Sequence, residues 1–117
     1  MSSCIFCKII KGEIPAKNVF ENDHAVIIQD VQPQAPIHWL VLPRTHVGSL
    51  NDLDEKTRAE IMPQLFAAAD QAATAQGLRD KGYRTVINNQ ALAGQTVFHL
   101  HMHVLAGSTK PLGHFGE

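Results

Sequence analysis

One stretch of the chain limits its fold more than any other: Thr96-Val97-Phe98-His99-Leu100-His101-Met102-His103-Val104-Leu105. Imidazole and apolar side chains alternate strictly. That period belongs to a β-strand, in which successive side chains point to opposite faces. The pattern predicts a strand from Thr96 to Leu105. His99, His101 and His103 share one face, and Phe98, Leu100, Met102 and Val104 share the other. The apolar face must rest on a core, and the imidazole face must line something polar.

The remaining sequence supplies partners for that strand. Residues 4–11 place Ile5, Phe6 and Ile9 at helical spacing, which predicts a short helix closed by Gly12 and followed by Pro15. Val19 and the run Val26-Ile27-Ile28 are β-formers on either side of Glu21-Asn22-Asp23, a hairpin with strands at 17–21 and 24–30. Pro36 and Pro43 bracket Ile37-His38-Trp39-Leu40-Val41-Leu42, a strand whose ends the prolines mark because they cannot donate to a ladder. Thr45 to Leu50 is expected to be a turn or short helix. Asp52 or Asp54 caps a long helix reaching Gln76, with Glu55, Lys56, Arg58 and Glu60 on its wet side and Ile61, Leu65, Ala68 and Ala72 on its buried stripe. Pro63 inside it predicts a kink or a division, and Gly77 closes it. A turn at Asp80-Lys81-Gly82 leads to a strand at 83–88, and a loop from Asn89 to Gly94 leads to the histidine strand. Strands grouped on both sides of a long helix predict an α+β fold: an antiparallel five-stranded sheet with one long and one short helix, in a single domain over 1–117.

Composition narrows the function classes. The chain has 117 residues, 44% of them hydrophobic and 18% charged, an ordinary globular balance. With 10 basic and 11 acidic residues the formal net charge is −1, so electrostatic capture of a nucleic acid polymer or an anionic membrane has no support. No apolar run is long enough to span a bilayer, and Met1-Ser2-Ser3-Cys4 does not open a signal peptide, so a cytoplasmic protein is expected. Cys4 and Cys7 cannot make a disulfide framework. Histidine is the excess: His24, His38, His46, His99, His101, His103 and His114, seven in all.

Three readings suit the imidazole face: a solvated polar strand face, a structural metal site, or nucleophilic catalysis. Alternate residues lie about 6.6–6.8 Å apart along a strand. A metal with bonds of about 2.0–2.1 Å therefore takes two neighbouring imidazoles but not readily all three, and at least one is left for other work. Neutral imidazole is a good nucleophile at neutral pH, provided an acceptor holds its other nitrogen protonated. A phosphorus electrophile suits it, since attack divides one displacement into two. The segment Asn88-Asn89-Gln90-Ala91-Leu92-Ala93-Gly94-Gln95-Thr96 runs into the strand. There Gly94 permits close backbone approach, and Asn88, Gln95 and Thr96 could offer neutral donors to phosphate oxygens.

His99-Leu100-His101-Met102-His103-Val104-Leu105 resembles the signature of the histidine triad (HIT) superfamily. The wider chain resembles its Hint branch of purine nucleoside phosphoramidases through Ile5-Phe6-Cys7-Lys8-Ile9-Ile10, Glu13-Ile14-Pro15-Ala16-Lys17, Pro33-Gln34-Ala35-Pro36-Ile37-His38 and Gly94-Gln95-Thr96-Val97. The resemblance implies that His101 is the nucleophile, that His103 contacts phosphate and assists the leaving group, and that His38 supports the triad. Asn88, Gly94, Gln95 and Thr96 would meet the phosphate or leaving group. Asp30 would bind ribose hydroxyls, with an Asx-turn as the rival reading. Ile5, Phe6, Ile9, Ile14, Ile28 and Val31 would form a purine slot, with ordinary core as the rival. The implied partners are AMP, GMP and their phosphoramidates, together with a second copy in a homodimer. Hydrolysis would proceed through a nucleotidyl-histidine intermediate with no catalytic metal. Dinucleoside polyphosphate hydrolysis, nucleotidyl transfer, and a nucleotide-binding scaffold with incidental hydrolysis are the alternatives.

Cys4-x-x-Cys7 lacks the βαβ context of a redox pair, and a closed zinc site needs two further ligands. Superfamily members with an N-terminal C-x-x-C resemble the galactose-1-phosphate uridylyltransferases, which implies structural zinc on Cys4, Cys7, His46 and His99. Two inert thiols are the rival. His24 and His114 are expected to be bystanders. Ala106 and the tail from Lys110 to Phe115 depart from the branch's familiar endings, which bears on substrate preference.

Overall fold

The computed structural model describes residues 4–108 and 112. In chain order the elements are α1 (Ile5–Ile10), β1 (Asn18–Glu21), β2 (Ala25–Gln29), β3 (Ile37–Pro43), α2 (Glu55–Ala75), β4 (Arg84–Val86) and β5 (Met102–Ala106), with 3-10 turns at Leu50–Asp52 and Ala91–Ala93. The strands form one five-stranded sheet in the order β1-β2-β3-β5-β4, antiparallel at every pairing. This is the α+β architecture expected from the sequence. The predicted tail features, His114 included, lie outside the described residues.

Alternation along the central strands divides the molecule into two layers. Ala25, Ile27, Trp39, Val41, Met102 and Val104 face α2 and form the larger core with Ile61, Leu65, Ala68 and Ala72. Val26, Ile28, Leu40 and Leu42 face the other way and pack on Phe6 of α1. Both faces are covered, so β2 is buried at four consecutive positions, Ala25 to Ile28, and reads as a continuous apolar run. His38 and His103 stand on the α1 face, because Leu40 is the register partner of His103 and shares its side of β3 with His38.

Two expectations are corrected. Of the kink or division expected at Pro63, the division is absent, and one continuous helix runs through the proline. Proline there removes the hydrogen bond to the Ala59 carbonyl. Both residues are exposed, so water can satisfy that carbonyl while buried Ile61 and Leu65 hold the flanking turns to the sheet. Asp54, not Asp52, caps this helix, its Oδ1 accepting from Thr57 N at 2.8 Å. The second correction concerns the histidine strand, which pairs only from Met102 onward. The Leu100 N–H is given to the Val47 carbonyl at 2.6 Å, which takes the chain off the ladder near Pro43. Phe98, expected on the core face, is 48% exposed. Among the described residues no helix is long and apolar enough to cross a membrane.

Candidate active site and metal centre

The α1 face of the sheet carries two neighbouring sites. The first is a cavity of about 1150 Å³ between α1, the segment Ile14 to Lys17 that leads into β1, the end of β2, and the segment from Asn88 to His103. His101 and His103 form its polar wall, and Ile5, Phe6, Ile9, Ile14, Ile28 and Val31 line its apolar side, together with Asp30, Asn88, Gly94 and Thr96. Val31 is 93% exposed and stands at the rim. Leu40, Val97 and Lys17 also line the cavity and were not singled out from sequence. The alternation of β3 gives a signal for Leu40, and nothing local marks the other two.

His101 is 7% exposed. Its Nδ1–H donates to the His99 carbonyl at 2.8 Å, which leaves Nε2 with a free lone pair. Phe6 packs edge-on against the ring, with centroids 5.2 Å apart. His103 lies beside it at a centroid distance of 5.1 Å and is hydrogen-bonded through Nδ1 to His38 Nε2 at 2.8 Å. Asp30 Oδ2 is 3.4 Å from that same His38 nitrogen. Asp30 Oδ1 accepts from Gln32 N at 2.8 Å, so the Asx-turn is present at the cavity wall, and the turn leaves the second carboxylate oxygen facing His38.

Gln95 is placed differently from its expected position among phosphate donors. It is buried (3% exposed) and is not part of the cavity wall. Its Oε1 accepts from Gln90 N at 2.7 Å, and its Nε2 donates to the carbonyls of Gly48 and Val97 at 2.6 and 3.0 Å. The amide therefore holds the loop that presents Asn88, Gly94 and Thr96. Leu50 N donates to Asn89 Oδ1 at 3.0 Å, and Gln90 Nε2 to Ser49 Oγ at 2.9 Å, tying the same loop to the segment after β3. Gly94 has φ +104° beside the Asn88 side chain, a left-handed conformation that glycine adopts without strain.

The second site is the cluster of Cys4, Cys7, His46 and His99, whose Sγ and ring-nitrogen atoms all lie within 4.8 Å of one another. Cys4 Sγ is 3.4 Å from His99 Nδ1, Cys7 Sγ is 3.3 Å from His46 Nδ1, and the two Nδ1 atoms are 3.1 Å apart. His99 is fully buried, and its Nε2–H donates to the Pro43 carbonyl at 2.9 Å. That bond fixes the tautomer and turns a bare Nδ1 toward the sulfurs, the outer-shell arrangement typical of ligating imidazoles. Two thiols and two imidazoles form a donor set able to hold a metal ion, and its chemistry fits zinc. His24 is exposed and belongs to neither site.

Burial lowers the pKa of His99, where the nearby charges of His46 and His101 add to it and the Pro43 bond opposes it. Burial also lowers His101, against the opposing bond to His99 and the charge of Asp30. His103 is pushed down to about 4, by burial first and then by His101 and His38, with Asp30 opposing. All three rings are thus neutral at neutral pH, as a nucleophile or metal ligand must be. Between the usual 6.5 and about 4 the unfolded chain binds more protons at His103 than the fold does. The contribution to stability is complete above that window and declines as pH falls through it. Thermal denaturation is expected to show a lower Tm at about pH 5 than at about pH 7.5, with a smaller drop in His103→Gln. An equal drop in the two proteins would contradict the assignment to His103.

A family profile described as the HIT domain matches residues 11–110. An uncharacterized HIT-like protein of Synechococcus elongatus is 44% identical over 103 residues, 88% of this chain and 89% of that one. The crystal structure of a HIT family hydrolase from Legionella pneumophila superposes with a TM-score of 0.86 at 40% identity, over 92% of this chain and 95% of that one. A histidine triad protein from Clostridium difficile superposes with a TM-score of 0.90 at 38% identity, covering 97% and 98%. The chain belongs to the HIT family.

Proposed function

We propose that the protein hydrolyses purine nucleoside phosphoramidates, such as adenosine 5′-phosphoramidate or a lysyl-linked AMP, through a nucleotidyl-histidine intermediate. One observation carries this reading: the His99 carbonyl holds the Nδ1 proton of His101 at 2.8 Å, so a bare Nε2 stands at the wall of a cavity with an apolar slot. In the first step His101 Nε2 forms a bond to phosphorus while the P–N bond breaks and the amine leaves with a proton drawn from solvent. In the second step water attacks phosphorus and gives a proton back to solvent, the N–P bond breaks, and AMP and neutral His101 are released. The apolar wall from Ile5 to Ile28 stacks the purine, Asp30 accepts from ribose hydroxyls, and Asn88, Thr96 and His103 donate to phosphate oxygens. Neutral donors in a partly water-excluded site stabilise developing charge without a basic patch.

Cys4, Cys7, His46 and His99 would hold zinc, whose role there is a structural clamp between α1, the segment after β3 and the start of the histidine segment. A homodimer accords with the half-exposed Phe66 and Phe98 and the exposed Leu92, and light scattering that gives the mass of a single chain would remove that reading. The deciding experiment for the activity is AMP release from adenosine 5′-phosphoramidate. AMP binding with no release would favour the scaffold alternative.

A further inference from the structure

One contact near the cavity comes from a backbone group in the turn between β2 and β3. Gln34 N donates to His38 Nδ1 at 3.0 Å. An amide N–H can only donate, so Nδ1 of His38 is bare. A neutral imidazole carries a single ring proton, and in His38 it must sit on Nε2. That nitrogen lies 2.8 Å from His103 Nδ1, so His38 donates and His103 accepts. The proton of His103 is left on Nε2, the nitrogen turned away from His38, in a ring that lines the cavity. Asp30 Oδ2, 3.4 Å from His38 Nε2, is an acceptor and favours the same assignment.

The geometry points to the Gln34 N–H as a positioning group that sets the tautomers of His38 and His103 in series and so turns an N–H of His103 toward the reacting phosphoryl group. This rests on the reading of the cavity as a phosphoramidate site. His101 is anchored through the same ring atom by the opposite kind of group. A carbonyl takes its Nδ1 proton and leaves Nε2 bare. A backbone donor acting through His38 does the reverse for His103. Two imidazoles with centroids 5.1 Å apart thereby show the substrate unlike nitrogens, one a lone pair for attack and one a hydrogen-bond donor, with no charge on either.

The turn is built for the task. Asp30 N donates to the His38 carbonyl at 2.9 Å and closes its base, while Gln32 N donates to Asp30 Oδ1 at 2.8 Å inside it. Pro33 and Pro36 stiffen the segment around Gln34, and neither occupies the position whose N–H is used. A rival occupant is a cation, since Asp30, His38 and His103 bring ligand atoms within 4.8 Å of one another. A metal on His38 Nε2 would move the ring proton to Nδ1, where it would meet the Gln34 N–H donor against donor. The 2.8 Å separation of the two ring nitrogens is that of a hydrogen bond.

The test is a long-range proton–nitrogen NMR spectrum of the full chain, labelled with ¹⁵N-histidine, above pH 7. The expected pattern is Nε2–H on His38 and His103 and Nδ1–H on His101. A proton on Nδ1 of His38 or His103 overturns the inference, and the wild-type spectrum alone decides this. Gln34→Ala keeps the N–H and is expected to keep the tautomer pattern. Gln34→Pro removes it, and a folded variant is expected to show mixed tautomers and a kcat lowered on the order of 10- to 100-fold, with KM little changed. Unchanged tautomers in folded Gln34→Pro also overturn the inference. The expected pattern in a protein that releases no AMP would support the inference and count against the phosphoramidate reading. AMP release with Nδ1–H on His103 would do the reverse.

Discussion

His101→Ala is expected to lower AMP release from adenosine 5′-phosphoramidate on the order of 10⁴-fold or more, while AMP binding changes by less than about 10-fold. The asymmetry follows from what the ring touches. In the proposed mechanism His101 supplies the lone pair that attacks phosphorus, and without it neither the covalent intermediate nor the second displacement would exist. The proposed base slot is lined by Phe6, Ile28, Leu40 and their neighbours, and the substitution removes none of them. Truncation does leave space against Phe6, whose ring packs edge-on to His101, so circular dichroism of the variant belongs in the experiment. A sharper version uses His101→Gly with added imidazole, which is expected to recover part of the lost rate by supplying the missing nucleophile. His101→Ala turnover within about 10-fold of wild type would defeat the mechanism.

The second large effect concerns the metal cluster. Purified protein is expected to carry one zinc per chain, and chelation or Cys7→Ser is expected to lower Tm by about 15 °C. A metal held at about 1,000 times its Kd stabilises the fold by about 4 kcal/mol, and 1 kcal/mol moves Tm by about 4 °C in a domain of roughly this size. The same treatment is expected to lower kcat as well, because His99 serves both sites. Its ring offers Nδ1 to the cluster and holds the Pro43 carbonyl through Nε2, while its own carbonyl orients His101. Protein that carries no zinc after gentle purification, with a Tm indifferent to chelator, would remove the metal from the account.

The sequence disclosed the sheet and both helices because their patterns are local. The alternation of β5 and β3, the proline brackets and the apolar stripe of α2 each describe a single element. It disclosed the sidedness of the histidines for the same reason, and that sidedness outlasts the strand itself. Leu100 still points into the α2 core and His101 into the cavity, although neither is on the ladder. The end of pairing was hidden because it depends on a remote acceptor, the Val47 carbonyl. Gln95 was placed among the phosphate donors because an amide before a histidine segment looks the same whether it faces a ligand or its own loop. The partners that decide the matter, Gly48 and Gln90, lie on two different segments. The role inferred for Gln34 was illegible because it rests on a backbone N–H, which no side-chain type announces.

The strand order has a further consequence for how the molecule is made. β5 lies between β3 and β4, so the last strand among the described residues is an interior strand of the sheet. Until it inserts, β3 presents an unpaired edge flanked by Trp39, Leu40 and Val41, the kind of template that invites pairing with another chain. Its docking also closes a loop across the whole of α2, a non-local event of the sort that slows folding. The same docking brings in His101 and His103. Closure of the sheet, protection of the β3 edge and the placing of both imidazoles therefore depend on one docking, and a truncation just before Met102 is expected to yield an aggregating polypeptide instead of a folded but inactive one.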